Sequence, residues 1–227
     1  PRPMWLRLLL VSMLTIGGWV AFMGLSLLWL SASEAAVLGI SIPVWVAFLA
    51  RPILGERLSP LRAAALTVAL VGIAVLIGGN GIEASIEKLP GIAFVLTGAV
   101  CVALGTVLTK RFPLAMPPLS LAAWLIGLGC VPIAIVGLAV EQPQLAALSY
   151  VGWASLLYLT LIQFCLCYVC WFTALERLPA ATASIGTLLV PVIGVLASAA
   201  ALGEPLGLRE ITALVFTLGG VAVALRA

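Results

Sequence analysis

The chain has 227 residues, of which 64% are hydrophobic and 8% are charged, and its formal net charge is +3. Soluble domains carry about 25% charged residues, so the composition excludes an ordinary soluble fold and indicates a membrane protein. The small net charge gives no indication of nucleic-acid binding.

Long apolar segments predict an all-α fold, a polytopic membrane helix bundle. A helix needs about 20 apolar residues to cross about 30 Å of hydrocarbon. Segments of that length alternate here with short stretches rich in Gly, Pro and Ser, which favour turns. The predicted helices lie near residues 5–30, 33–54, 60–79, 90–109, 118–140, 149–176, 180–202 and 208–226.

Two of these helices contain the same pattern, 148 residues apart. The run PVWVAFLARPILGERLSPL begins at Pro43, and the run PVIGVLASAAALGEPLGLR begins at Pro191. The same offset relates Glu56 to Glu204, which we interpret as turn residues between helices. An internal repeat of hydrophobic helices interrupted by proline is typical of secondary transporters.

The repeat also predicts how the chain is divided. The offset matches the first three predicted helices with the last three, and the helices near 90–109 and 118–140 have no upstream counterpart. We therefore expect a ten-helix fold made of two five-helix repeats, with the first two helices absent from this chain. Residues 1–80 would be the remainder of the first repeat, and residues 90–227 the second. The alternative is a natural eight-helix protein.

The basic residues predict the orientation of the repeats. Five helices per repeat is an odd number, so the two repeats would enter the membrane from opposite sides. With the loop before the first helix in the cytoplasm, nine of the eleven Lys and Arg residues lie on the cytoplasmic side. This bias follows the positive-inside rule and predicts a cytoplasmic C-terminus.

The two central prolines are the first candidate site residues. A proline inside a helix cannot donate to the carbonyl four residues earlier, so Pro43 and Pro191 would leave the carbonyls of Gly39 and Thr187 free. A free carbonyl in hydrocarbon needs protein, water or a ligand. We expect these residues to form a polar notch in a cavity; the alternative is a kink repaired by neighbouring helices.

A second set of candidates lies on one face of the first and sixth helices. The face of the first helix carries Ser12, Thr15, Trp19, Met23 and Ser26, and the 148-residue offset gives Thr160, Gln163, Cys167, Trp171 and Ala174. Polar groups at this depth usually face the interior of a bundle. We expect Trp19, Gln163 and Trp171 to bind substrate; for Gln163 the alternative is a hydrogen bond between helices.

The second predicted helix carries three further candidates on one face. Trp45 lies too deep for an interfacial tryptophan, and Ser41 lies one turn before it. We expect both residues to face the substrate. Glu34 lies at the start of the helix, where it would either compensate the helix dipole or bind a proton or cation as a coupling residue.

Several enzyme classes are excluded by residues that the sequence lacks. It contains no His and no Asp, which removes zinc-protease and Ser-His chemistry. Cys167 and Cys170 have a metal-like spacing, but we interpret them as helix-packing residues. We expect no enzymatic activity, no cofactor and no metal.

The repeated motifs resemble the EamA-type branch of the drug/metabolite transporter superfamily. They comprise LSASEAA from Leu30, Pro43 and Leu54-Gly55-Glu56, and then ALERLPAA from Ala174, Pro191 and Leu202-Gly203-Glu204. The resemblance implies two inverted five-helix repeats around a central cavity. It also implies movement of a small metabolite, often export of amino acids, across a bacterial inner membrane.

The predicted spans hold no buried charge, which predicts the substrate class. Phosphorylated solutes would require interior Lys or Arg residues, so we expect a neutral or zwitterionic solute, with hydrophobic or aromatic amino acids first. Export or exchange would proceed by alternating access. The expected partners are this solute, the lipid bilayer and, as a possibility, further copies of the chain. The alternatives are drug-like or other metabolites, or a membrane scaffold or receptor.

Overall fold

A computed structural model describes residues 2–56, 59–77, 86–114, 116–140, 148–193, 196 and 208–226. Helix α1 consists of Arg2–Ser12, a π-helical segment Met13–Gly18 and Trp19–Ser26. It is followed by α2 (Ala32–Gly39), α3 (Ile42–Leu54), α4 (Pro60–Ile77), α5 (Leu89–Arg111) and α6 (Pro118–Val140). A 3₁₀ turn, Ile86–Lys88, precedes α5.

The last four helices follow the order of α1 to α4. Helix α7 consists of Tyr150–Tyr158, a π-helical segment Leu159–Cys167 and Tyr168–Arg177. Helix α8 (Ala180–Gly186), α9 (189–193) and α10 (Leu208–Arg226) follow. The predicted helix ends near 79 and 202, and the second Leu-Gly-Glu motif, lie outside the described residues.

The all-helical character that the sequence predicts is confirmed over the described residues. Within them, four helices have the length and apolar composition needed to cross a membrane: Met4–Ser26, Ile86–Arg111, Pro118–Val140 and Tyr150–Arg177. Shorter apolar helices occupy Ile42–Leu54 and Ala180–Ile193. The fold is therefore a membrane helix bundle.

The prediction of one continuous helix around each proline is wrong. The helix expected near 33–54 is two helices, α2 and α3, which are separated by Ile40 and Ser41. Pro43 lies in the first turn of α3, where its missing N–H has no cost. The second copy is interrupted in the same way at residues 187–188, before Pro191.

Short turns close both interruptions. The N–H of Ser41 donates to the carbonyl of Leu38 at 3.1 Å, and the N–H of Leu188 donates to that of Ile185 at 3.0 Å. The carbonyl of Thr187 accepts from the N–H of Val190 at 3.0 Å. The expected free carbonyl at Thr187 is therefore wrong, because the chain turns before the proline and pairs that group locally.

Helix α5 is the centre of the bundle and contacts α1, α2, α3 and α8. Its glycines at 91, 98 and 105 face α1, which allows the two backbones to approach closely. A Cβ added at Gly105 would lie 3.1 Å from the backbone nitrogen of Thr15. On the outside of this core, α4 packs along α10, its counterpart at the 148-residue offset.

The π-helical segment of α1 packs equally closely against α6, which gives a first test of the fold. A Cβ added at Gly129 would lie 2.6 Å from Cβ of Ile16 and 3.0 Å from the carbonyl oxygen of Ser12. We expect Gly129→Ala to destabilise the protein by about 1–3 kcal/mol, as overpacking does, and to lower its melting temperature in detergent. Gly127→Ala is the matched control on the same helix, because nothing lies within 4 Å of an added Cβ there. Equal melting temperatures for the two variants would contradict the α1–α6 contact.

Candidate functional site

Two π-helical segments occupy matching positions in the two halves of the chain. The 148-residue offset carries Met13–Gly18 to residues 161–166, inside the segment Leu159–Cys167. π-helical turns are rare and are frequently found at functional sites. The offset also relates Thr15 to Gln163, and both residues border the same cavity.

The cavity has a volume of about 280 Å³ and lies between α1, α3, α5, α7 and α8. Its wall, as far as the described residues form it, is largely apolar and aromatic, with hydroxyl groups, one amide, one thiol and no charged side chain. The lining residues are Thr15, Ile42, Val46, Val102, Thr106, Gln163, Cys167, Tyr168, Trp171, Ser184 and Thr187.

The structure brings together three of the residues that the sequence analysis selected. Gln163, Trp171 and Thr187 line the cavity, whereas the other five substrate-binding candidates are not part of its wall. Trp19 packs instead against two glycines, since a Cβ at Gly39 would lie 3.0 Å from its ring and one at Gly98 would lie 3.4 Å from it. A substrate role for these eight residues stays a prediction.

The four remaining candidates lie at the two helix interruptions. Pro43 is fully buried, and Pro191 is half-buried. Ser41 directly precedes the lining residue Ile42, and Trp45 follows Ile42 by three residues, about one helical turn. Within the described part of the chain, Ser41 Oγ and Trp45 Nε1 are buried without a hydrogen-bond partner. Such groups are costly to bury unpaired; the indole N–H of Trp45 can donate one further hydrogen bond, and the hydroxyl of Ser41 can donate or accept.

Three hydroxyl groups of the wall have a defined hydrogen-bond direction. Thr15 Oγ1 donates to the carbonyl of Val11, Ser184 Oγ donates to that of Ala181 at 2.8 Å, and Thr187 Oγ1 donates to that of Ser184 at 2.6 Å. The hydrogens of these three hydroxyls are therefore used by carbonyls three or four residues earlier in the chain. The oxygens keep lone pairs and act as acceptors towards the cavity.

The aromatic side of the wall is built on α7. The ring of Tyr168 stacks on Phe164 at a centroid distance of 6.0 Å and an interplanar angle of 5°. It also contacts the buried Phe172 at 6.1 Å. These neighbours hold Tyr168 beside Trp171, so the cavity offers a rigid apolar surface to a solute.

The sequence analysis did not select Thr106, Tyr168 or Ser184 as site residues. Ser184 is three positions before Thr187, a helical spacing that could have indicated it. Tyr168 is five positions after Gln163, which an α-helix places on another face. The π-helical segment changes that spacing, and no pattern in the sequence predicted the segment.

Glu34, the coupling candidate, is held at an end of the bundle and is not part of the cavity wall. Its Oε1 is 2.7 Å from Lys88 Nζ, and its Oε2 accepts from the backbone N–H of Ser31 at 2.9 Å and from Ser31 Oγ at 3.0 Å. The Lys88 hydrogen bond, aided by Ser31, lowers the pKa of Glu34 from 4.5 to about 2. These contacts at the start of α2 favour compensation of the helix dipole, one of the two roles that the sequence analysis left open.

A second carboxylate occupies the other end of α5. Gly55 adopts a left-handed conformation (φ 71°) at the end of α3, which a glycine permits. The next residue, Glu56, accepts from the N–H groups of Ala180 at 3.0 Å and Ala181 at 3.3 Å. Lys110 Nζ lies 4.0 Å from Glu56 Oε1.

The comparisons with known proteins identify the family. A model of the EamA-like transporter family matches residues 1–78 and 89–226. The chain therefore belongs to the EamA-like transporter family, and the predicted resemblance is confirmed. The matched family is one of transporters, and the relatives below are named as transporters or as a probable efflux pump.

Relatives in three organisms are similar to the chain. YyaM of Bacillus subtilis, an uncharacterized transporter, is 28% identical over 84% of the chain, and an uncharacterized transporter of Archaeoglobus fulgidus is 27% identical over 90%. A probable amino-acid metabolite efflux pump of Salmonella typhimurium is 27% identical over 75% of the chain. These matches cover 63%, 72% and 60% of the respective relatives.

A solved crystal structure of a protein shares the fold. Its TM-score is 0.84 at 20% sequence identity, and the match covers 99% of this chain and 78% of the solved chain.

The Glu34 contacts predict how that carboxyl group titrates. Because its folded-state pKa of about 2 lies below 4.5, ionised Glu34 stabilises the fold above pH 4.5, and this contribution is lost as the pH falls through about 2. In Lys88→Gln we expect the pKa to rise towards 4.5. The measurement is ¹³C NMR of glutamate Cδ, which is simplified by the absence of Asp, with Glu34→Gln used for assignment. An unchanged pKa in Lys88→Gln would contradict the ion pair.

Proposed function

We propose that this protein is a secondary transporter that exports or exchanges a small neutral or zwitterionic metabolite, with hydrophobic or aromatic amino acids as its substrates. The observation that carries the proposal is the cavity between the two matched π-helical segments. None of the described residues of its wall is charged, so a solute with a net charge would find no compensating group among them. A zwitterion has no net charge, because its own positive and negative groups balance each other.

The polarity of the wall suits an amino acid. Its ammonium group would donate to the hydroxyl oxygens of Thr15, Ser184 and Thr187, whose hydrogens are already used. Its carboxylate would accept from the amide of Gln163. An apolar or aromatic side chain would pack on Tyr168 and Trp171, where burial stabilises it by about 25 cal/mol per Å².

Ser41 and Trp45 complete the proposed set of substrate-binding residues. Their unpaired hydroxyl and indole groups lie at the interruption between α2 and α3. A modest rearrangement of these helices would bring them to the solute. Trp19, Pro43 and Pro191 would then act by shaping the interruptions.

The proposed mechanism is alternating access by two inverted five-helix repeats. Helices α2 and α8 correspond at the 148-residue offset. The N-terminus of α2 lies near Lys88, at the start of α5, and that of α8 lies near Lys110, at its end. Counterparts that begin at opposite ends of one helix support an inverted arrangement. The division at residues 80 and 90, the inner-membrane location and the cytoplasmic C-terminus are part of this proposal.

Substitutions in the wall test the site. We expect Gln163→Ala to lower kcat/KM for amino-acid counterflow in proteoliposomes by about 10-fold or more, since a hydrogen bond to a charged group contributes about 1.5–3 kcal/mol. Trp171→Ala should mainly weaken binding of aromatic amino acids. Thr160→Ala is the matched control on the same helix. The Thr160 hydroxyl donates to the carbonyl of Leu156, and Thr160 does not line the cavity. Wild-type kinetics in both wall variants would contradict the site, and counterflow of drug-like solutes alone would favour that substrate class.

Cys167 provides a direct test of occupancy. Cys167 and Cys165 lie on the same helix and are both exposed, but only Cys167 lines the cavity. In variants that retain a single cysteine, saturating leucine or phenylalanine should slow alkylation of Cys167 several-fold and leave Cys165 unchanged. Equal protection of both thiols, or protection of neither by any amino acid, would contradict binding in this cavity.

A further inference from the structure

Two charged contacts tie the interrupted helices to opposite ends of α5. The first, here called the Lys88 latch, consists of Lys88, Glu34 and Ser31 and holds the start of α2. The second, the Lys110 latch, consists of Lys110, Glu56 and the N–H groups of Ala180 and Ala181 and holds the start of α8. Helix α5 has 23 residues and is therefore about 35 Å long at 1.5 Å per residue.

The Lys110 latch joins three chain segments at one point. Glu56 follows α3, which contributes Ile42 and Val46 to the cavity wall. It binds the first turn of α8, which contributes Ser184 to the wall and is followed directly by the lining residue Thr187. Lys110 also donates to the carbonyls of Leu175, at 3.4 Å, and Leu178. The contact thus fixes α3 and α8 relative to the end of α7.

The strength of these contacts comes from their chemistry and location. Hydrogen bonds between a carboxylate and backbone N–H groups are about twice as strong as neutral ones, and a helix N-terminus favours a negative charge. The side chains of Glu34 and Glu56 are only 16% and 20% exposed. Each latch is therefore partly shielded from the solvent and salt that weaken exposed ion pairs.

We propose that Glu34 and Glu56 are positioning residues that close the cavity at opposite ends of the bundle, and that release of one latch at a time admits solute from that side. When a latch is formed, the interrupted helix is held against α5 and the wall stays closed at that end. When it is released, α2 or α8 moves at its interruption. The inference rests on the proposed function, because it takes the cavity as the route of the solute.

The test measures access to Cys167 from each side of the membrane. In a variant that retains only this cysteine, a membrane-impermeant cationic thiol reagent is applied to sealed vesicles of either orientation. We expect Glu34→Gln to raise the labelling rate several-fold from the Lys88 side only, and Glu56→Gln to raise it from the Lys110 side only. The matched controls are Glu87→Gln and Glu176→Gln, since both carboxylates are exposed near the same two ends.

Side-specific results decide the proposal. Acceleration from both sides by one variant, or no change with either, would overturn it. Lys88→Gln should reproduce the effect of Glu34→Gln if the latter folds poorly, and Lys88→Arg, which keeps the ion pair with Glu34, should retain wild-type labelling. Side-specific labelling without amino-acid counterflow would refute the substrate class and leave the latches intact. Counterflow with unchanged labelling would refute the latches alone.

Discussion

The architecture depends on one constraint, that backbone N–H and C=O groups in hydrocarbon must be paired within the protein. Pro43 and Pro191 cannot donate, and each lies in an apolar helix. The chain meets the constraint by ending one helix and starting another a few residues before each proline, with the turn hydrogen bonds of Ser41 and Leu188 closing the gap. The resulting half-helices have N-termini at the ends of the bundle and interruptions near the cavity. Residues that line the wall, such as Ile42 and Thr187, are placed there by the interruptions.

The π-helical segments are the second feature on which the site depends. The π-helical segment of α1 packs between α5 and α6, and the glycines Gly105 of α5 and Gly129 of α6 allow this close contact. A π turn rotates the residues that follow it relative to an α-helix, so Thr15 can reach the cavity from a segment that is buried between two helices. In α7 the corresponding segment brings Gln163, Cys167 and Tyr168 to the wall. One local distortion, present twice, therefore supplies much of the polar surface of the site.

The sequence predicted the features that depend on hydrophobic length and on proline. The helical segments and the membrane class follow from apolar runs of about 20 residues. Pro43 and Pro191 indicated where two helices would be disturbed, but not that each helix would end and a new one begin. It also indicated Gln163 and Trp171, because polar and aromatic residues on one face of an apolar helix are unusual. It could not predict Tyr168, whose place depends on a π turn with no sequence signal. Nor could it predict that Glu56 reaches Ala180, because that contact joins residues 124 positions apart through a left-handed glycine.

The ion pairs of Glu34 and Glu56 lie at the ends of α5 and not in the cavity wall. None of the described residues of the wall is charged, and under the proposed function a zwitterion bound there would need only hydroxyl, amide and aromatic groups. Such contacts are individually weak, which favours release as well as capture. The carboxylates of Glu34 and Glu56 lie instead at the ends of α5, where they bind helix N-termini and lysines. A solute can change the balance between two states only through its differential affinity for them. Two separate latches of moderate strength would keep those states close in free energy, so that weak binding at the centre is sufficient to select between them.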